Sequence, residues 1–299
     1  MISFEHVSKF ILSDINIHIP EGITLGLIGA TGSGKTSFIK LCCGLLAPSK
    51  GDVFVMGQKP EKMVRAYKKV IGTLLTGIQG LKPEATVVSN LQDLKLIYGL
   101  DETTYLDKYN RLLEVLDIEK FQYEKVGDLS LGQRRRVELL AVLIHEPKLL
   151  LLDEPSIGID QTGKKAMRKL IKEREKAGLT TIITSHDMGD IIDVCSRICI
   201  LDKGRICYYG NKELLFKRYA PVDIMYVKLQ NRLPDLEDLP VISYSIDNGI
   251  LKLIYNSNHI TSAEILKVIL TKAPIKEVSI HKPDLTDVIM KIEKGICDE

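Results

Sequence analysis

A short apolar run, Ile23 to Gly29, opens directly into Gly29-Ala30-Thr31-Gly32-Ser33-Gly34-Lys35-Thr36-Ser37. A helical pattern follows from Thr36 to Leu45, and Gly44 and Pro48 close it. This is G-x-x-x-x-G-K-[ST] without a mismatch, in the strand–loop–helix setting the motif requires. The short apolar strand is consistent with a buried position in a sheet. The glycines let the turn curl so that backbone N–H groups point inward at an anion. The helix that follows adds the positive end of its dipole. Lys35 is then placed to reach the β- and γ-phosphates, and the Thr36 hydroxyl to ligate Mg²⁺. Alone, the loop says only that a nucleoside triphosphate binds.

A second buried strand narrows the chemistry. Four apolar residues, Leu149 to Leu152, deliver Asp153 at a strand end, followed by Glu154-Pro155. Asp153 is expected to hold Mg²⁺ through water, and Glu154 to polarise an attacking water. Two adjacent acids can also be a solvated turn, but the phosphate loop in the same chain favours the functional reading. Between loop and acids lies Leu129-Ser130-Leu131-Gly132-Gln133, just ahead of a helical pattern from Gln133 to His145. Beyond the acids come Ile157-Gly158-Ile159-Asp160 and, after a β-branched run from Thr180 to Ser185, His186-Asp187.

In this order the motifs resemble the ATPase subunit of an ATP-binding cassette (ABC) transporter, over about residues 1 to 218. The resemblance implies ATP and Mg²⁺ as ligands and ATP hydrolysis as the activity. It implies that Ser130 and Gly132, with Gln133 beside them, contact a γ-phosphate held by the loop of an opposite subunit. Two composite sites in a homodimer or heterodimer follow. Asp160 falls in the loop that crosses that interface, and His186 matches the histidine that senses γ-phosphate. Leu131 departs from the family pattern, where glycine is usual. Phe10 stands where the family stacks an aromatic on adenine, although it could instead be core. The glutamine expected after Ile71-Gly72-Thr73-Leu74-Leu75 is replaced by Thr76. Either Thr76 takes its place at the cation or a shifted loop brings in Gln79, which is the favoured reading. The stretch from Arg65 to Leu100 is similar to ATPases of bacterial ABC-2 type exporters. That likeness implies a separate integral-membrane permease as partner and a place at the cytoplasmic face of the membrane. The alternative is a soluble ABC ATPase of translation or DNA metabolism, but the chain shows no second cassette, coiled-coil insertion or cluster of metal-binding cysteines.

The fold class expected is α/β: a P-loop NTPase core with an antiparallel β subdomain, an inserted helical subdomain at about 83–144, and a small C-terminal α+β domain at 221–299. Strands are expected at Ile2–Val7, Ile15–Ile19, Lys148–Leu152, Thr180–Ser185, Ile198–Asp202 and Ile206–Tyr209, and helices at Lys164–Lys176 and Asp190–Cys195. In the C-terminal domain the strands expected are Met225–Leu229, Ile242–Ile246, Ile250–Tyr255 and Val278–Ile280, with a tight turn at Asp247-Asn248-Gly249. Helices are expected at Ser262–Leu270 and Leu285–Ile292.

Composition limits the partners. A net charge of +2 on 299 residues gives no argument for nucleic acid. The run Arg134-Arg135-Arg136 reads as a solvated or acid-paired helix face. No apolar stretch approaches the roughly 18 residues needed to cross a bilayer, and the first residues do not read as a signal peptide. The cysteines include no C-x-x-C pair, and Cys195 and Cys199 would share one face if their segment were helical.

Overall fold

The computed structural model describes residues 1–62, 69–77, 80–219, 222–230, 241–247, 249–257, 259–281 and 288. The chain divides into two compact units, Met1–Lys212 and Glu213–Glu299.

The first unit is organised around β3 (Thr24–Ile28), whose five residues are all buried. It pairs in parallel with β7 (Thr180–Thr184) on one side and β8 (Arg197–Asp202) on the other. With β5 (Ile71–Leu74), β6 (Leu149–Asp153) and β9 (Arg205–Asn211), these form a six-stranded sheet in the order β5-β6-β7-β3-β8-β9. The β8–β9 hairpin is its antiparallel edge. Leu149 to Leu152 are fully buried, each contributing roughly 1.5–3 kcal/mol by leaving water.

A three-stranded antiparallel sheet packs beside this core, with β1 (Ile2–Lys9) between β2 (Leu12–Ile19) and β4 (Lys50–Val55). Along β2, Ile15, Ile17 and Ile19 face inward while the residues between them are exposed. Phe4 stacks on Phe38 of α1 (Lys35–Cys42), with ring centroids 4.3 Å apart. This contact joins the antiparallel sheet to the helix behind the phosphate loop. Strand β4 is absent from the sequence expectations, because its Lys50-Gly51-Asp52 start reads as a turn. Its inward pair, Val53 and Val55, carried the signal.

The helical insertion holds α2 (Val87–Tyr98), α3 (Glu102–Val115) and α4 (Leu131–Leu143). Thr86 and Asp101 cap the first two, and the Thr104 N–H lowers the Asp101 carboxyl to about 2. The chain returns to the core through α5 (Gln161–Lys176) and α6 (Met188–Val194). Cys199 lies on β8, as the strand expected at Ile198–Asp202 has it, and Cys195 follows α6, so the two share no helix.

Helix α7 (Lys212–Tyr219) spans the division between the units. The second unit is an antiparallel sheet in the order β11-β12-β10-β13, with β10 (Val222–Leu229), β11 (Ser243–Asp247), β12 (Ile250–Asn256) and β13 (Ile275–His281). Met225, Val227, Leu251, Leu253 and Tyr255 meet Ile265 and Ile269 of α8 (Ser262–Lys272) in its core. Of the helix expected at Leu285–Ile292 only Val288 falls among the described residues, and Asn248 of the expected turn lies outside them.

Candidate nucleotide and hydrolysis site

The carboxyl ends of β3, β6 and β7 are level, since Thr184 pairs with Leu27 on one side and Asp153 on the other. In open parallel sheets, ligands bind just beyond such ends. A cleft of about 270 Å³ lies there, lined by residues of the phosphate loop and by Thr76, Asp153, Glu154 and His186. From the loop, Thr31, Gly32, Gly34, Lys35, Thr36 and Ser37 face it. Lys35 Nζ donates to the carbonyls of Gly29 (2.7 Å) and Ala30 (3.1 Å), and burial pushes its pKa down. Ser33 Oγ is buried without a hydrogen-bond partner. Gly34 begins α1 at φ 110°, where a Cβ would lie 2.5 Å from Leu12 Cδ2, so only glycine closes the loop here. No side chain caps α1 and its first turn carries no acid. The open helix end, with the lysine folded over the loop, fits a phosphate.

The acid pair is held on several sides. Thr184 Oγ1 donates to Asp153 Oδ1 (2.8 Å) and accepts from the Glu154 N–H (2.9 Å). Thr36 Oγ1 donates to Asp153 Oδ2 (3.1 Å). The hydroxyl of Thr36 and the carboxylate of Asp153 thus converge on one point beside the loop, a pair of hard oxygen ligands that fits Mg²⁺. No group of three or more His, Cys, Asp or Glu suited to a metal occurs among the described residues.

Glu154 sits at φ 51°, a left-handed conformation unusual for a side-chain-bearing residue. Its Oε2 accepts from the His186 N–H (3.0 Å). Its Oε1 is buried with no hydrogen-bond partner, and the His186 Nε2 stands 3.4 Å away. Leaving a carboxylate oxygen buried without a donor costs roughly 1–3 kcal/mol or more. Glu154 thus combines a left-handed backbone with a buried acceptor that lacks a hydrogen bond.

Ser130, Gly132, Gln133 and Asp160 line a different cleft, of about 610 Å³. Ser130 begins α4 with a complete capping box: its Oγ accepts from the Gln133 N–H (3.2 Å), and Gln133 Oε1 accepts from the Ser130 N–H (2.9 Å). A Cβ on Gly132 would stand 2.6 Å from Gly158 O, so the two loops touch backbone to backbone. Asp160 caps α5 through the Gly163 N–H (2.9 Å) and pairs with Arg136 Nη2 (2.5 Å). These two contacts, in that order, hold its carboxyl below the usual range.

Phe10 is 75% exposed in the β1–β2 turn, with Lys9 Nζ 5.1 Å from its ring centre, so the core alternative does not hold. Gln79 lies outside the described residues. Thr76 lines the first cleft and its Oγ1 donates to Asp153 O (3.0 Å). Of the arginine run, Arg135 pairs with Glu138, and Arg136, itself buried, pairs with Asp117 and Asp160. Two of the three are therefore acid-paired, while Arg134 donates from Nη2 to Gly127 O. Sequence reasoning missed Thr184, which bridges both acids. Its place at the last position of a β-branched strand, two residues before His186, was the available signal.

Residues 12–157 match the family model described as ABC transporter. The chain is 33% identical over 245 residues to the energy-coupling factor transporter ATP-binding protein EcfA3 of Oenococcus oeni, covering 80% of this chain and 85% of that protein. It is 28% identical over 218 residues to the Nod factor export ATP-binding protein I of Cupriavidus metallidurans, covering 73% and 71%. Among solved structures, the dimeric post-hydrolysis state of the ATP-binding cassette MJ0796 bound to ADP and Pi superposes with a TM-score of 0.63 at 25% identity, covering 71% of this chain and 98% of that one. No helix among the described residues is long and apolar enough to cross a membrane. With that level of identity over most of a relative's length, and a phosphate loop facing an acid pair across a shared cleft, this chain belongs to the ATP-binding, ATP-hydrolysing subunits of ABC transporters.

Proposed function

We propose that this subunit binds ATP at the phosphate loop, closes on a second cassette, and drives a separate integral-membrane permease from the cytoplasmic face. The observation that carries the catalytic part is Glu154, whose Oε2 is anchored to the His186 N–H while its buried Oε1 has no hydrogen-bond donor. A carboxylate held at one oxygen and without a hydrogen bond at the other, where the His186 ring stands 3.4 Å away, can orient a water and take its proton. Lys35 and the α1 N-terminus bind the phosphates, and the exposed His186 ring is placed to meet the γ-phosphate. Phe10, on the exposed turn, stacks on adenine. When bound, Mg²⁺ supplies positive charge beside the phosphate oxygens, with Thr36, Asp153 and Gln79 as its ligands. In one chain the signature residues and the phosphate loop line different clefts, which supports a site completed by a second subunit. Ser130 and Gly132 then meet the γ-phosphate held by the other chain, and Asp160 lies at the interface. Residues 221–299 form an accessory domain that serves regulation or dimer contacts.

Glu154→Gln tests the catalytic role. The amide keeps the shape but cannot accept a proton, so turnover should fall on the order of 10²–10⁴-fold while ATP binding persists. Near wild-type turnover would remove Glu154 from the role. For direction of transport, the likeness to an export protein and to exporter-type sequences favours export. The likeness to an energy-coupling factor subunit supports a second reading, an importer ATPase. ATP-driven movement of cargo into or out of inside-out vesicles carrying the permease separates them.

A further inference from the structure

Where β6 ends, its backbone carbonyls leave the sheet ladder and need other donors. One side chain supplies three of them. Arg135, in the second turn of α4, donates from Nη2 to Asp153 O (3.1 Å) and Glu154 O (2.9 Å), and from Nε to Pro155 O (3.3 Å). Its Nη1 pairs with Glu138 Oε2 at 2.9 Å, and both side chains are largely buried. Thr76 Oγ1 also donates to the Asp153 carbonyl (3.0 Å). The arginine therefore links the helix that begins at Ser130 to the backbone of the acid pair.

We propose that Arg135 is a positioning residue for hydrolysis, one that fixes the Glu154 carboxylate by clamping the carbonyls of residues 153 to 155. Glu154 sits in the left-handed region at φ 51°, a conformation that contacts on the flanking carbonyls help to hold. A planar guanidinium can serve three carbonyls in a row, which a lysine ammonium cannot do with the same geometry. The clamp also gives α4 a lever on Glu154. A shift of the helix when Ser130 meets a phosphate moves the carbonyls and, through them, the carboxylate. This inference rests on the proposed role of Glu154 as the group that polarises water.

The test is a cycle of variants in the full chain, read at saturating ATP and Mg²⁺. Arg135→Met keeps the aliphatic stem and removes the donors. We expect kcat to fall roughly 10- to 10²-fold, the range for a misplacement of about 1 Å at the reacting group. The Kd for ATP should change by less than about threefold, since no phosphate contact is lost. Arg135→Lys should recover part of the kcat, and it keeps the test open if the methionine variant folds poorly. In single turnovers, adding Arg135→Met to Glu154→Gln should cost little more, because the carboxylate that the clamp positions is already gone. Unchanged kcat in a folded Arg135→Met chain, or an equal loss with and without Glu154→Gln, overturns the proposal. Wild-type turnover by Glu154→Gln alone would instead refute the reading of Glu154 beneath it, a result visible without any Arg135 variant.

Discussion

Two helices of the first unit begin at residues proposed to touch phosphate, and they begin differently. Helix α1 starts from Gly34 with no side-chain cap and no acid in its first turn. Helix α4 starts from Ser130 with a complete capping box closed by Gln133. One end leaves its N–H groups for a ligand; the other satisfies its own. The phosphate loop is thus built to hold a nucleotide within a single chain. The signature end is stable alone, and its Ser130 hydroxyl must be shared or released when a phosphate arrives. This asymmetry fits binding by one chain followed by engagement of a second.

The largest effect should come from the uncapped end. Lys35→Met removes the cation that folds over the loop carbonyls, and turnover should drop roughly 10²–10³-fold, as for other preorganised donors. Titration of a fluorescent ATP analogue should show weakened binding in the monomer as well. Retained affinity would mean that the open helix end alone carries the phosphate.

Ser130→Ala is the matched change at the capped end. It removes the cap of α4, at a cost of about 1 kcal/mol in thermal or denaturant unfolding. ATP binding by the isolated chain should be unchanged while steady-state turnover falls on the order of 10²-fold, the lower end of the scale for a lost donor to developing charge. A loss of ATP affinity in the monomer would place Ser130 in the site of its own chain and remove the asymmetry.

The far end of α4 offers a smaller test of how firmly that helix is anchored. His145, just past the helix, stacks on Tyr98 with ring centroids 3.8 Å apart and has Nε2 3.2 Å from Ile71 O. Burial, aided by Arg174 and Lys108, lowers its pKa to about 4 despite the Ile71 carbonyl. The unfolded chain, with a value near 6.5, then binds the extra proton first as pH falls. Stability should decline between about pH 6.5 and 4 by up to about 3 kcal/mol and level off below. His145→Phe keeps an aromatic stack and should flatten that part of the profile. An unchanged profile in the variant would show that other groups set the acid limb.

Much of the nucleotide side was legible because its signals are local. An apolar run, glycines at set intervals and a Lys-Thr pair lie within about fifteen consecutive residues, and four leucines announce Asp153. The unread parts join residues far apart in the chain. Thr184 reaches Asp153 and Glu154 across neighbouring strands, and Arg135 reaches them from a helix packed alongside. A triplet of arginines shows charge, but not that its members grip different partners. Strand β4 was hidden by its polar start, Lys50-Gly51-Asp52. In the second unit the alternation in β10 and β12 was legible, since one face is buried and the period of two survives in the sequence.

Sedimentation of the Glu154→Gln chain with and without saturating ATP and Mg²⁺ probes the shared site most directly. Slowed hydrolysis should trap the closed state, giving a dimer with nucleotide and a monomer without it. A monomer under both conditions, in a chain shown to bind ATP, would contradict a site built from the phosphate loop of one subunit and Ser130 of another.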